Sequence, residues 1–235
     1  VLSRDKMIKK TIGVLGGMGP ESTAIFYKQL IKECQKQYGA KYDKDFPEII
    51  IYNLPIPDPV SKIENSEKTI QMMVQTINKL QSIGSEFVVM PCNTSHYFYD
   101  EVRENTSIEW VNMLELVGNE PCFKERPRAL ILGGYVTVTE RIYDQYISQC
   151  YYLNEIGNNY VFQLIEDLKL SKGGYQKEVD EIAKLCCKTK AKIVILACTE
   201  LTEVAELFRQ KGFQVVDSNM VYAEGLVKLI ESQDV

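Results

Sequence analysis

The sequence predicts an α/β fold built from two similar parallel-sheet halves related by pseudo-twofold symmetry, and three observations lead there. The apolar run Phe87-Val88-Val89-Met90 has the composition of a buried strand and ends in Pro91-Cys92-Asn93-Thr94-Ser95-His96. Residues Ile193-Val194-Ile195-Leu196-Ala197 repeat the pattern and end in Cys198-Thr199-Glu200. Upstream, Thr11-Ile12-Gly13-Val14-Leu15-Gly16-Gly17 is echoed by Ala129-Leu130-Ile131-Leu132-Gly133-Gly134. Between these runs lie helical patterns. Alternation of that kind indicates parallel sheets, whose ligands sit beyond the carboxyl ends of the strands.

Taken in order, residues 1–10 carry no periodic pattern, and Met7 reads as the native start. A strand over about 10–15 runs into Gly16-Gly17-Met18-Gly19-Pro20, where glycines permit a tight turn and Pro20 suits the first turn of a helix reaching about Tyr38. Glu48 to Asn53 is a second strand. The prolines at 55, 57 and 59 make the next segment a rigid loop. Ile70, Met73, Val74, Ile77 and Leu80 fall at helical spacing in a helix from Ser66 to about Ile83, ended by Gly84. After the Phe87 strand come a helix from about Thr94 to Glu104 and a short segment, 108–113, leading into a crossover.

The second half is expected to contain a strand over 129–132, helices over 139–150 and 177–187, the Cys198 strand, and a helix over 202–211. The 139–150 helix is suggested by the match of Tyr143/Gln145/Ile147 to Tyr27/Gln29/Ile31. A last strand over 214–217 and a helix over 220–230 close the chain. The predicted division is a first domain of 8–113 plus 214–235, carrying Cys92, and a second of 114–213, carrying Cys198.

Composition narrows the function. The chain has 235 residues, 45% hydrophobic and 25% charged, which is ordinary for a globular protein with a full core. Net charge is −5, and the basic residues are scattered rather than interleaved with aromatics, so nucleic acid is not an expected partner. No apolar run reaches membrane-spanning length, and a cytoplasmic protein is predicted. Seven cysteines, with no CxxC pair, fit neither a secreted disulfide scaffold nor a zinc ribbon. Cys34, Cys150, Cys186 and Cys187 lie in helical patterns and read as small buried hydrophobes, and Cys122 as a connector.

Cys92 and Cys198 are different. A strand that hands a thiol to a helix N-terminus favours the thiolate, since unpaired backbone N–H groups and the helix dipole attract negative charge. Asn93, Thr94 and Thr199 suit helix capping and ligand binding equally. The Gly16–Pro20 turn lacks the spacing of a phosphate-binding loop.

Gly16-Gly17-Met18-Gly19-Pro20-Glu21-Ser22-Thr23, Pro91-Cys92-Asn93-Thr94-Ser95-His96 and Ala197-Cys198-Thr199-Glu200 together resemble the aspartate/glutamate racemase superfamily, in particular its aspartate racemase branch. The similarity runs from about Ile8 to Ile230. It implies a cofactor-independent isomerase, without pyridoxal phosphate or metal, interconverting L- and D-aspartate or glutamate. Racemisation takes the α-proton from one face and returns one to the other, so two acid–base groups must flank the carbon.

The resemblance makes Cys92 and Cys198 that catalytic pair. It assigns Asn93, Thr94 and Thr199 to the α-carboxylate and α-amino groups and Met18 to the wall. Glu200 either tunes Cys198 or contacts the ammonium, while His96 is expected to be structural. The branch often carries an arginine where this chain has Pro59, so Lys62 or Lys172 is expected to supply the charge for a side-chain carboxylate. The family also implies a homodimer. Alternatives are a broad-specificity amino-acid racemase, a binding module without turnover, and a metal site of Cys92, His96 and Cys198.

Overall fold

The computed structural model describes residues 10–56 and 66–233. Met7 as the start, Pro57 and Pro59 in the rigid loop, and Lys62 as a source of charge are expectations that lie outside the described residues. In the first half the chain forms β1 (Ile12–Gly16), α1 (Pro20–Tyr38), β2 (Ile49–Asn53), α2 (Ser66–Ser82), β3 (Phe87–Val89), α3 (Tyr99–Glu104), β4 (Glu109–Trp110) and α4 (Met113–Gly118). It continues through β5 (Ala129–Gly133), α5 (Tyr135–Thr139), β6 (Cys150–Tyr152), α6 (Glu155–Lys169), α7 (Gln176–Lys188), β7 (Ile193–Ala197), α8 (Ala205–Gln210), β8 (Gln214–Asp217) and α9 (Ser218–Gln233).

Two four-stranded sheets result, ordered β2-β1-β3-β4 and β6-β5-β7-β8, with every pairing parallel. The central strands of each, β1 and β3 in the first and β5 and β7 in the second, are buried on both faces, as is usual for parallel sheets. In the first sheet Ile12, Val14, Phe87 and Val89 face α1 and α9, while Leu15, Val88 and Met90 face α2. In the second, Leu130, Leu132, Val194 and Leu196 face α6 and α7, while Ala129, Ile131, Ile193 and Ile195 meet Leu114, Tyr143 and Ile147. Side chains thus alternate between faces along each central strand.

The pairing register makes the pseudo-symmetry concrete. Ile12 lies opposite Phe87, and Ala129 opposite Ile193. Cys92 and Cys198 come after these partners by the same interval. The helices after the fourth strands also start alike: Asn112 Oδ1 accepts from the N–H groups of Leu114 and Glu115, at 2.8 and 3.1 Å. Asp217 Oδ1 accepts from those of Asn219 and Met220, at 3.0 and 3.3 Å.

Three expectations need correction. The strand over 214–217 does not belong with the first half, because β8 pairs with β7 at the edge of the second sheet. The chain crosses back only at the Asp217 cap, after which α9 packs on α1 and α4. Its counterpart in the first sheet is β4, hidden in the segment expected to lead into a crossover. Second, 139–150 is not a helix. α5 stops at Thr139 and Arg141 adopts φ +51°. Local bonds such as Asp144 N–H to Arg141 O and Ile147 N–H to Tyr143 O then close separate turns that fold Ile142, Tyr143 and Ile147 onto the sheet. Third, α6 has no counterpart among the expected elements, although Asn154 caps it by accepting from Gly157 N–H at 3.0 Å. No helix among the described residues is long and apolar enough to cross a membrane.

Candidate active site

The carboxyl ends of β1, β3 and β7 converge on a cavity of about 330 Å³. Its floor comes from Cys92, Asn93 and Thr94 on one side and Cys198, Thr199 and Glu200 on the other; Gly17, Met18, Gly19, Pro20, Glu21, Ile56 and Lys169 complete the wall. The turn after β1 has little freedom. Gly17 sits at φ +92°, and a Cβ there would lie 2.6 Å from the backbone N and O of Leu54. Thr23 Oγ1 accepts from Gly17 N–H and donates to Gly19 O, both at 2.9 Å. The turn therefore presents Met18 to the cavity in one conformation.

Cys92 is buried, with its sulfur 3.1 Å from Ser95 Oγ, which in turn is 3.4 Å from Met18 Sδ. Its carbonyl accepts from His96 Nδ1 at 2.8 Å, and His96 Nε2 accepts from Met113 N–H at 3.1 Å. Burial pushes the His96 pKa down to about 4, so the ring is neutral near pH 7. Both ring nitrogens are occupied within the fold, which leaves no lone pair for the Cys92, His96 and Cys198 metal arrangement. Among the described residues no group of three or more His, Cys, Asp or Glu side chains is placed to hold a metal.

Cys198 is buried too, and its thiol donates to Glu200 Oε2 at 2.9 Å; Thr199 Oγ1 donates to the same oxygen at 3.3 Å. Burial first, and then the Glu200 carboxylate, push the Cys198 pKa well above its ordinary value. That is opposite to the lowering expected for a thiol at a helix N-terminus. The reason is local: Cys198 leads into a 3-10 turn, Thr199–Val204, with a carboxylate folded back onto the sulfur.

Asn93 is committed to a buried network between the halves. Its Oδ1 accepts from Tyr143 OH, its Nδ2 donates to Ser218 Oγ at 2.9 Å, and Ser218 Oγ donates to Leu196 O at 2.8 Å. Thr94 Oγ1 lies 3.1 Å from Thr137 Oγ1 across the same boundary. Thus Cys92, Cys198, Met18, Asn93, Thr94, Thr199 and Glu200 come together, whereas Lys172 does not: it is exposed and paired with Asp167 at 2.5 Å. The lysine at the cavity is Lys169, whose ammonium lies 3.0 Å from Glu166 Oε1. Sequence reasoning missed it because it missed α6. The Asn154 cap, with Val161, Leu164, Ile165 and Leu168 at helical spacing after it, is the signal that places Lys169 at that helix's end.

Two thiols supplied from equivalent strand ends of like α/β halves define a class of pseudo-symmetric proteins with paired cysteines in one cleft. The chain belongs to the Asp/Glu/hydantoin racemase family, whose model matches residues 15–225, and so falls among the isomerases. It is 31% identical over 229 residues to the broad specificity amino-acid racemase RacX of Bacillus subtilis (strain 168), covering 92% of this chain and 96% of that protein. Among solved structures it resembles the Picrophilus torridus aspartate racemase, with TM-score 0.78, 25% identity and 94% of each chain covered. An aspartate racemase homologue from Pyrococcus horikoshii OT3 shares the fold at TM-score 0.77 and 23% identity, over 94% of this chain and 99% of that one.

Proposed function

We propose that the chain is a cofactor-independent amino-acid racemase using Cys92 and Cys198 as its two acid–base groups, with aspartate the first substrate to test and glutamate next. The observation that carries the reading is the pair of buried thiols, one from each half, lining a single cavity. A substrate held with its α-carbon between them loses the α-proton to one sulfur as thiolate and receives a proton from the other as thiol on the opposite face. Thr94 and Thr199 supply hydroxyls for the α-carboxylate and α-amino groups, Asn93 its remaining amide hydrogen, and Lys169 a charge for a carboxylate. Enclosure strengthens each of these contacts by excluding water. The protein acts in this reading as a cytoplasmic homodimer, the state its resemblance implies.

Broad specificity is a second reading favoured by a specific observation. The described wall carries two carboxylates, Glu21 and Glu200, against the one ammonium of Lys169. Such a wall does not select strongly for an acidic side chain, and the relative from Bacillus subtilis is named for broad specificity.

The test is proton NMR of L-aspartate, L-glutamate and a neutral amino-acid panel in D2O under reducing conditions, with Cys92→Ser and Cys198→Ser alongside. Loss of the α-proton signal with appearance of the D-enantiomer is expected, reduced by about 10²–10⁴-fold in either variant. An unexchanged α-proton in every substrate would defeat the proposal.

A further inference from the structure

Cys92 and Cys198 have unlike hydrogen-bond partners. The Cys92 sulfur meets the hydroxyl of Ser95, which can donate or accept and so suits either the thiol or the thiolate. The Cys198 sulfur meets the Glu200 carboxylate, which when ionised can only accept and therefore favours S–H and repels S⁻. Glu200 is half-buried and borders the cavity, whereas Cys198 is 8% exposed. The carboxylate thus touches both the buried sulfur and the cavity that the two residues line.

We propose that Glu200 holds Cys198 as the thiol in the free enzyme and returns a proton to it from solvent after Cys198 has given its own to substrate. This rests on the two-thiol reading above. In one direction of turnover the Cys92 thiolate forms an S–H bond with the α-proton. The Cys198 S–H bond breaks to deliver a proton to the other face, leaving a Cys92 thiol and a Cys198 thiolate. Glu200, protonated by water, passes that proton to the Cys198 sulfur and is left as the carboxylate. Cys92 releases its proton to water in the cavity, and the starting form is restored with no change of oxidation state. Transfer from Glu200 to sulfur runs downhill, since a carboxylic acid is the stronger acid.

Cys198 feels Glu200 on its own segment and Cys92 across the cavity. Around Glu200 stand Glu21 of α1, Glu203 of the same turn and Lys169 of α6. Glu21 and Glu200 both raise the Glu203 pKa, after burial.

Iodoacetamide alkylation of the full chain, monitored at Cys92 and Cys198 by peptide mass spectrometry across pH, separates the thiols without relying on turnover. In Glu200→Gln the Cys198 midpoint is expected to fall by at least about one pH unit, the order of shift a neighbouring charge produces. Cys92, which is not bonded to Glu200, should move less, and upward, because the two sulfurs repel as thiolates. Glu200→Asp, which keeps the charge, and Glu203→Gln, which removes a neighbouring carboxylate not bonded to the sulfur, should both leave Cys198 closer to the parent value. An unmoved Cys198 midpoint in Glu200→Gln overturns the proposal.

Racemisation adds the second readout. Two enantiomers of equal free energy fix kcat/KM as equal in both directions, and a relay that protonates Cys198 after one direction of turnover deprotonates it after the other. In Glu200→Gln the kcat of the direction that leaves Cys198 as thiolate is expected to fall by about tenfold or more, and kcat values at the parent level in both directions would overturn the reprotonation step. If the parent chain racemises no amino acid while the alkylation shift stands, the two-thiol reading fails and reprotonation with it, but the contact holding Cys198 as a thiol survives.

Discussion

His96 is the only histidine in the chain, and its place four residues after Cys92 invites a catalytic role that its hydrogen bonds exclude. With Nδ1–H given to the Cys92 carbonyl and Nε2 taken by Met113 N–H, the ring clamps the cysteine's backbone to the start of α4. The consequence is a pH dependence of stability. The unfolded chain takes up a proton near pH 6.5, the folded one only near pH 4, so the unfolded state binds more protons between those values. The stabilisation by neutral His96 is complete above pH 6.5 and is lost as pH falls toward 4. It amounts to about 3 kcal/mol, from about 1.4 kcal/mol per pH unit. Urea midpoints measured in steps from pH 7 to 4 should fall for the parent chain and fall less steeply for His96→Gln, most clearly between pH 6.5 and 5, above the range of ordinary carboxylates.

At the scale of elements, the tightest constraint is the turn joining β1 to α1. Gly17→Ala puts a methyl 2.6 Å from two Leu54 backbone atoms at a φ of +92° that alanine adopts poorly. The variant should lose about 2 kcal/mol or more of stability, and because Met18 is the next residue, its racemase activity should fall as well. Thermal unfolding and initial rates measure both, and a parent-like melting temperature would show that the turn relaxes. This turn was readable from its glycines and Pro20, as were α1, closed by Gly39 at φ +79°, and the central strands, whose apolar runs are long and bounded. Other elements were not. Tyr143 and Ile147 imitate helical spacing while lying in successive turns, and β4 has two residues, too few for any period. The cysteine pair was legible because the two halves repeat one another. The thiol–carboxylate bond at Cys198 was legible only as one of two roles for Glu200, because the choice depends on a side chain folding back over its own turn, which residue order does not specify.

For the molecule as a whole, the proposed two-thiol chemistry requires each half to hold its thiol in fixed relation to the other's. The Asn93, Tyr143 and Ser218 network joins the segment after β3 to the turns after α5 and the first residue of α9. Tyr143→Phe removes one hydroxyl and leaves Asn93 Oδ1 buried without its donor, a loss of about 1–3 kcal/mol. Because Asn93 adjoins Cys92, the loosened boundary should lower kcat by about tenfold, the scale at which small misplacements of reacting groups are felt, and change KM less. Tyr152→Phe is the control. It deletes a hydroxyl that donates to Asp144 at 2.8 Å on the exposed side of the second half, and it should leave kcat unchanged. Melting temperature and steady-state kinetics on both variants decide the matter. A Tyr143→Phe protein that melts earlier but turns over at the parent rate would mean that the network holds the halves together without setting the distance between their thiols.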